Sequence, residues 1–327
     1  MAMAMSACTH LVAPKLVVGR TAAVSSASSL RATAGSLTSG FSGRASTSRS
    51  CPELRLLGGE PECLRRPRSS ASSSRSVVAM TSSRSSSPTP SNGNANKIVF
   101  VAGATGQTGK RIVKELLMEG YEVRAGVRDI AKAKDALPKD DNLELVLADV
   151  TGGPDLLARA IAGSSAVIVA TGFRPSFDLT ASWKVDNTGT KNMVDACKQR
   201  GINRMVLVSS ILVNGAAIGQ IFNPAYIVLN IFGLTLIAKL QAEKHLRKSG
   251  IDYTIIRPGG LKNEPPSGNI LLSKEDTLFE GSVSRDTVAK VAVESLSIPE
   301  ASFKVVELVS KPDVPAKSIR DLFATLR

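Results

Sequence analysis

The chain has 327 residues, 43% of them hydrophobic, and a net charge of +13, which suits one large folded domain. Residues 1–95 hold 23 serines and 11 basic residues against three acidic ones, so this end carries a net charge of +8. Residues 96–327 carry 30 basic and 25 acidic residues, a balance that argues against nucleic acid as the partner.

The serine-rich, arginine-rich and acid-poor first segment is typical of organelle transit peptides. Val77-Val78-Ala79 before Met80 resembles a stromal processing site and favours the chloroplast over the mitochondrion. We therefore predict a chloroplast transit peptide at residues 1–79, a disordered linker at 80–96 and one folded domain at 97–327. The alternative for the first segment is a permanently disordered tail.

The predicted folded part contains one cysteine, Cys197, and one histidine, His245. This count excludes an internal disulfide and a structural zinc site built from cysteines and histidines. His245 lies in a charged helical segment, where we expect it to be solvated, so a Ser-His-Asp triad is also disfavoured. No metal site is predicted.

From Lys97 onward, short β-branched runs alternate with segments of helical periodicity. The predicted strands are 97–103, 121–127, 143–149, 165–172, 204–210, 252–258 and 304–309. Several are apolar on both faces, as expected of strands buried between two layers of helices. The helical segments between them end in glycine, which is typical of a C-terminal cap. The alternation predicts an α/β fold with a doubly wound, mostly parallel sheet.

The first predicted strand runs directly into a glycine-rich loop at 103–109, GATGQTG, and a helix follows. Glycines allow a tight turn and close approach to a pyrophosphate, and the helix N-terminus directs N–H groups at the phosphates. A glycine turn without a ligand is the alternative, but the position between the first strand and the first helix favours dinucleotide binding.

The loop has the spacing GxxGxxG. Together with "LADV", "RMVLVSS" and "DYTIIRPGGL", it resembles the atypical, NmrA-like short-chain dehydrogenases/reductases, which have an NAD(P)-binding Rossmann fold. More narrowly, residues 97–327 are similar to plant chloroplast proteins of the flavin-reductase-related type found in plastoglobules. These motifs are specific for the family and do not specify a reaction.

The resemblance implies a set of cofactor-binding residues. The loop would hold the pyrophosphate through Gly103, Thr105, Gly106, Gln107, Thr108 and Gly109. Three later strand ends would complete the site, with Asp149 and Val150 at the adenine, Thr171 and Gly172 at the ribose and nicotinamide, and Pro258 and Gly259 near the carboxamide.

The end of the second strand decides between the two dinucleotides. An acidic residue there binds the ribose 2′-hydroxyl of NAD, whereas an arginine accepts the 2′-phosphate of NADP. The sequence offers both, as Arg128 and then Asp129. In the families that the chain resembles, the arginine faces the phosphate, and Lys132 and Lys134 add positive charge, so NADP is predicted over NAD. The alternative is that Arg128 is a solvated loop charge.

The resemblance also predicts that Lys239 is the lysine that binds the nicotinamide ribose. Reductases of this type have a proton-donating tyrosine four residues earlier, where this chain has Thr235. A threonine hydroxyl is not a useful acid near neutral pH. Ser209 and Ser210, at the end of the fifth strand, are candidates for orienting a substrate oxygen or for capping the strand.

Two functions fit this pattern. The first is a chloroplast NADPH-dependent oxidoreductase that acts on a conjugated, lipophilic acceptor such as a flavin, a quinone or a pigment-like molecule. Such acceptors take a hydride at a ring atom, and solvent supplies the proton. The second is a non-catalytic, NADPH-binding scaffold or assembly factor at thylakoid or plastoglobule surfaces.

Residues 205–238 contain no Asp, Glu, Lys or Arg. This length could cross a bilayer. However, the run begins in a predicted core strand, and its removal would dismantle the sheet, so no transmembrane span is predicted. The remaining interpretations are an apolar wall for the substrate or an exposed patch that contacts lipid.

Overall fold

A computed structural model describes residues 97–172, 178, 180–231 and 233–326. The predicted transit peptide at 1–79 and linker at 80–96 lie outside the described residues.

The strands that the structure describes are β1 (Ile98–Ala102), β2 (Glu122–Val127), β3 (Leu143–Leu147), β4 (Ala166–Val169), β5 (Arg204–Val208), β6 (Asp252–Pro258), β7 (Gly260–Lys262), β8 (Asn269–Lys274), β9 (Ser282–Ser284) and β10 (Lys304–Lys311). The helices are α1 (Gly109–Met118), α2 (Ile130–Ala136), α3 (Pro154–Ala160), α4 (Thr190–Arg200), α5 (Pro224–Ile231), α6 (Thr235–Arg247), α7 (Arg285–Glu294) and α8 (Ile319–Thr325). A π-helical segment, Trp183–Gly189, leads directly into α4.

Eight strands form one sheet in the order β3-β2-β1-β4-β5-β6-β10-β8. All neighbours are parallel except β8, which runs antiparallel to β10 at the edge. The seven predicted strands correspond to β1–β6 and β10. The prediction of a doubly wound, mostly parallel Rossmann fold is therefore confirmed. Strands β7 and β9 form a separate, small parallel pair.

Side chains alternate between the two faces of the sheet, as the period of a strand requires. In β1, Val99 and Val101 pack into a core with α1, α7 and α8. Phe100 and Ala102 pack into the opposite core, with α3, α4 and the end of α6. Each central strand is thus buried on both faces, which explains why the sequence runs are apolar rather than alternating.

A network of buried charges that the sequence pattern did not reveal joins the second half of the sheet to α6. Arg257 on β6 is 1% exposed and binds the Glu243 carboxylate of α6 at 2.7 Å and Asp276 at 2.8 Å. Glu307 on β10 accepts three backbone N–H groups, from residues 276–278. Removing one partner would leave an uncompensated buried charge, which typically costs about 3–5 kcal/mol.

The apolar run at 205–238 divides between β5, α5 and the start of α6. Within the described ranges, no helix on its own has the length and apolarity to cross a membrane, and α5 and α6 meet that test only as a pair bent by 87°. His245, which was expected to be solvated, lies 2.8 Å from Asp195 of α4.

Candidate functional site

The glycine-rich loop is closed by contacts that exclude side chains at two of its glycines. Gly103 has φ +77°, and a Cβ there would lie 2.9 Å from the carbonyl oxygen of Ala170 at the end of β4. A Cβ on Gly109 would lie 2.1 Å from the carbonyl oxygen of Gly103. The loop therefore fits tightly between β1, β4 and the first turn of α1. The backbone N–H groups of residues 110–112 bond back to the loop, so within the described part of the chain those of residues 107–109 are left for an anion.

A cleft of about 330 Å³ opens at the carboxyl ends of β1 to β4, where ligands bind in folds of this kind. Eight of the predicted cofactor-binding residues line it: Gly103, Thr105, Gly106, Arg128, Asp149, Val150, Thr171 and Gly172. The other lining residues are Gly126, Val127, Ala148, Thr151, Ala170, Ala181 and Val185.

The other three loop residues do not line the cleft. Gln107 holds Arg111 of α1, whose guanidinium donates to the Gln107 carbonyl at 2.7 Å. Thr108 precedes α1 and is 9% exposed, with no capping hydrogen bond from its side chain. Their position at the start of α1 leaves their backbone N–H groups, rather than their side chains, to contact a phosphate.

Arg128 and Asp129, at the end of β2, make different contacts. The Asp129 carboxylate caps α2 by accepting from the backbone N–H of Lys132 at 3.1 Å, and the Lys132 ammonium lies 3.2 Å away. These hydrogen bonds lower the pKa of Asp129. Arg128 is exposed, lines the cleft and forms no ion pair with any described residue. The cap keeps Asp129 engaged on its own helix, whereas the Arg128 guanidinium remains available to a ligand.

At the end of β3, the Asp149 carboxylate is also used locally. It accepts from the backbone N–H of Thr151 at 2.9 Å and from the Thr151 hydroxyl at 2.8 Å, which caps a short 3-10 turn. This turn places Val150 against the cleft, where it offers an apolar surface to a flat ring.

One polar atom of the cleft lacks a partner. The Thr171 hydroxyl is buried and has no hydrogen bond within the described part of the chain. Buried polar groups almost always have a hydrogen-bond partner, so an orphan hydroxyl in a cleft fits a ligand that brings its own polar groups. A dinucleotide with ribose hydroxyls meets that requirement.

Lys239 does not line the main cleft. With Thr171, Asp186, Thr190 and Ser209 it lines a narrow adjoining gap, which we call the chamber and which is too small to hold a water molecule. Its ammonium is 2.8 Å from Asp186, whose side chain is 1% exposed. Sequence reasoning missed Asp186, because an acid in a helical pattern is most often a surface residue; only its position in the π-helical segment turns it inward.

Thr235 stands where the reductases that the chain resembles have a tyrosine, and its side chain has a partner in the structure. Its hydroxyl is 2.8 Å from that of Ser182, a fully buried residue. None of the three tyrosines takes over the missing position. Tyr121 and Tyr226 are buried in hydrophobic cores, and Tyr253 stacks edge-on against Phe303.

The two predicted catalytic serines differ in their surroundings. Ser209 is buried, and its hydroxyl donates to the Glu243 carboxylate at 2.5 Å, so its proton is committed to the buried charge network. Ser210 is half-buried and follows β5. Pro258 and Gly259 are buried at the end of β6 and do not line the cleft; a Cβ on Gly259 would lie 2.6 Å from the carbonyl oxygen of Gly281.

An exposed apolar surface, which we call the apolar rim, lies next to the π-helical segment. Its members are Ile221, Phe222, Ile227, Val228, Leu229, Ile231 and Leu234, with exposed fractions from 41% to 86%. A groove of about 720 Å³ separates the end of this rim from Trp183. Val185, two residues after Trp183, lines the main cleft, so the π-helical segment lies between the groove and the cleft.

Known proteins match this chain at the level of the family. Residues 103–299 match the profile of the NAD(P)H-binding family. An uncharacterised chloroplastic protein of Arabidopsis thaliana is 64% identical over 232 residues, which cover 71% of this chain and 83% of that protein. The chloroplastic protein TIC 62 of Pisum sativum is 37% identical over 70% of this chain, but the match spans 46% of its own length.

Two further proteins relate the chain to oxidoreductases. Sanguinarine reductase of Eschscholzia californica is 30% identical, and the match covers 69% of this chain and 93% of the reductase. The crystal structure of the oxidoreductase ylbE from Lactococcus lactis superposes with a TM-score of 0.60 at 26% identity, over 70% of this chain and 96% of that one. The chain therefore belongs to the NAD(P)H-binding family of Rossmann-fold proteins, as a member of the atypical short-chain dehydrogenases/reductases.

Proposed function

We propose that the protein is an NADPH-dependent oxidoreductase that reduces a conjugated, lipophilic acceptor, such as a flavin, a quinone or a pigment-like molecule. The observation that carries the proposal is the π-helical segment, which contributes Val185 to the cleft and Trp183 to an apolar groove. A reduced dinucleotide in the cleft would supply a hydride to an acceptor bound beside this segment.

The preference for NADP rests on Arg128. Its guanidinium lines the cleft and has no described ion-pair partner, and Asp129 is engaged as the cap of α2. A planar guanidinium can bind a phosphate through two parallel hydrogen bonds, which a 2′-hydroxyl cannot match. NAD is the less favoured cofactor for the same reason.

The positions of the glycine-rich loop, Thr171, Lys239 and Ser210 support further roles. The backbone of the glycine-rich loop would bind the pyrophosphate at the N-terminus of α1. Thr171, with its orphan hydroxyl, and Lys239, one chamber away, would bind the ribose nearest the nicotinamide. Ser210 would orient the acceptor, since the Ser209 hydroxyl is committed to Glu243.

The acceptor class follows from what the site lacks and what surrounds it. No tyrosine is among the described residues that line the chamber around Lys239, and the Thr235 hydroxyl is bonded to Ser182. A simple ketone needs an acid to protonate the developing alkoxide, whereas a conjugated ring system spreads the charge. The apolar rim beside the groove supports an acceptor with a large apolar surface.

The second candidate is a non-catalytic NADPH-binding scaffold or assembly factor at thylakoid or plastoglobule surfaces. The same missing acid favours it, and so does the apolar rim, because large exposed apolar patches often mark surfaces that contact a partner or a membrane. Chloroplastic relatives support the chloroplast as the location for both candidates. For residues 1–79 we propose removal as a transit peptide on import.

The test is oxidation of NADPH by residues 80–327 in the presence of a panel of flavins, quinones and tetrapyrroles, with simple aldehydes and ketones as the comparison set. The proposal expects turnover with at least one conjugated acceptor and little with the comparison set. Tight NADPH binding without turnover on any acceptor would favour the scaffold instead.

A further inference from the structure

We propose that Asp186 is a positioning residue of the cofactor site, whose buried carboxylate holds the Lys239 ammonium toward the nicotinamide ribose. The inference rests on the proposed function, because it takes Lys239 as the ligand of that ribose. It adds a residue that the sequence analysis did not single out.

The ion pair is well shielded from solvent. The Asp186 side chain is 1% exposed, that of Lys239 is 15% exposed, and the two charged atoms are 2.8 Å apart. A carboxylate this deeply buried is tolerated only when it is paired. An ammonium has three donors. One direction faces Asp186, and the others remain for hydroxyl groups of a ligand.

The chamber that contains the pair adjoins the cleft. Thr171, with its orphan hydroxyl, lines both spaces. Among the described residues that line the chamber, Asp186 and Lys239 are the charged ones. Glu243, one turn after Lys239 on α6, is engaged by Arg257 and does not compete for the ammonium.

The π-helical segment explains why Asp186 points inward. Two of the polar contacts that the structure describes join this region to α6. Ser182, directly before the segment, contacts Thr235, and Asp186 contacts Lys239. On both elements, the residue of the second contact lies four positions after that of the first. The two elements therefore run side by side in register. Wider π-helical turns occur frequently at functional sites. Here the segment places an acid opposite the lysine.

The pair also has a chemical consequence. If Lys239 gave up its proton to an acceptor, the buried Asp186 carboxylate would lose the cation that faces it, which is strongly unfavourable. Asp186 therefore keeps Lys239 as a fixed cation that binds and orients. The proton that the reduced acceptor gains must come from water.

The experiment is a double-mutant cycle in a protein that comprises residues 80–327. The variants are Asp186→Asn, Lys239→Met and the double variant. NADPH affinity is measured by calorimetry, and the melting temperature is measured on the same samples without NADPH. Asn keeps the shape of the aspartate and removes its charge, so it separates the charge from the packing.

We expect Asp186→Asn to weaken NADPH binding about tenfold, because the Lys239 ammonium loses the carboxylate charge that holds it toward the ligand. Lys239→Met should weaken binding at least as much and lower the melting temperature, because the buried carboxylate loses the cation that faces it. In the double variant, the melting temperature should recover toward the wild-type value, whereas the affinity should stay at the level of Lys239→Met.

Two results would overturn the inference: unchanged NADPH affinity in Asp186→Asn, or losses of affinity that simply add in the double variant. If Lys239→Met does not fold, the affinity of Asp186→Asn decides alone. Wild-type protein that does not bind NADPH would instead contradict the proposed function, so the two failures are distinguishable.

Discussion

Arg128→Ala is the most direct test of the cofactor preference. The wild-type guanidinium is exposed at the edge of the cleft and has no ion-pair partner among the described residues. Its removal therefore leaves no buried charge behind. The substitution should therefore affect ligand binding and leave the free energy of unfolding almost unchanged.

The magnitude follows from the contact that is lost. A hydrogen bond to a charged group contributes about 1.5–3 kcal/mol, and solvent exposure moves the value toward the lower end. A loss of about 1–3 kcal/mol weakens NADPH binding by about 5- to 150-fold. NADH has no 2′-phosphate, so its affinity should hardly change.

Isothermal calorimetry with both cofactors measures the two affinities. Arg320→Ala, at an exposed position of α8, is the matched control for the loss of one surface arginine. Since salt screens exposed charges, the wild-type preference for NADPH should shrink at high ionic strength, and the variant should show little further change. Equal losses for NADPH and NADH in Arg128→Ala would refute the role of the arginine at the 2′-phosphate.

Three further predictions concern stability and reactivity. Full-length protein and residues 80–327 should melt within about 4 °C of each other, the shift that one kcal/mol produces in a domain of this size; a larger drop in the shorter form would show that the leader stabilises the fold. Burial raises the pKa of the Cys197 thiol to about 12. In residues 80–327, where it is the sole cysteine, a disulfide reagent at pH 8 should react only after unfolding, and rapid labelling of the native protein would contradict this. Burial also raises the pKa of Glu307, so the folded state holds this proton to higher pH than the unfolded chain does. This protonation stabilises the folded state fully below the unfolded pKa of about 4.3, and the stabilisation is lost as the pH rises through the folded pKa. In wild-type protein the denaturant midpoint should therefore fall as the pH rises through this range, and Glu307→Gln should make that fall smaller. An equally steep fall in Glu307→Gln would count against this prediction.

The periodicity of the apolar residues and the glycines at the ends of the helical segments were sufficient to predict the fold. The runs that became β1 to β6 and β10 are apolar on both faces, and helix layers cover both faces of the sheet. The antiparallel edge strand β8 was missed, because Asn269–Lys274 follows a loop rich in proline and glycine and has no long apolar run. Its pairing with β10 is a tertiary contact that no local pattern encodes.

The candidate site was predictable only where a backbone motif defines it. The glycine-rich loop and the strand ends at Arg128, Asp149 and Thr171 come together at one cleft, because parallel strands end at a common edge. Asp186 and Glu243 could not be recognised in the same way. Their burial depends on which face of a helix meets its neighbour, and one π-helical turn changes that face.

The missing tyrosine gives the last prediction. Thr235 lies one turn before Lys239 on α6, so a phenol at this position would stand beside the lysine, as in the reductases that have the tyrosine. In the present chain, the Thr235 hydroxyl binds the fully buried Ser182 at 2.8 Å, and a tyrosine would have to displace this contact.

Thr235→Tyr combined with Ser182→Ala removes the obstacle, and Ser182→Ala alone is the control for the lost hydrogen bond. If a conjugated acceptor needs no enzyme acid, steady-state turnover of that acceptor should not rise in the double variant, whereas weak activity on a simple ketone should appear. General-acid assistance accelerates a reaction by about 10²–10⁴-fold where it operates. An increase of about a hundredfold with the conjugated acceptor would therefore show that proton transfer limits its reduction, and the assignment of the proton to water would be wrong.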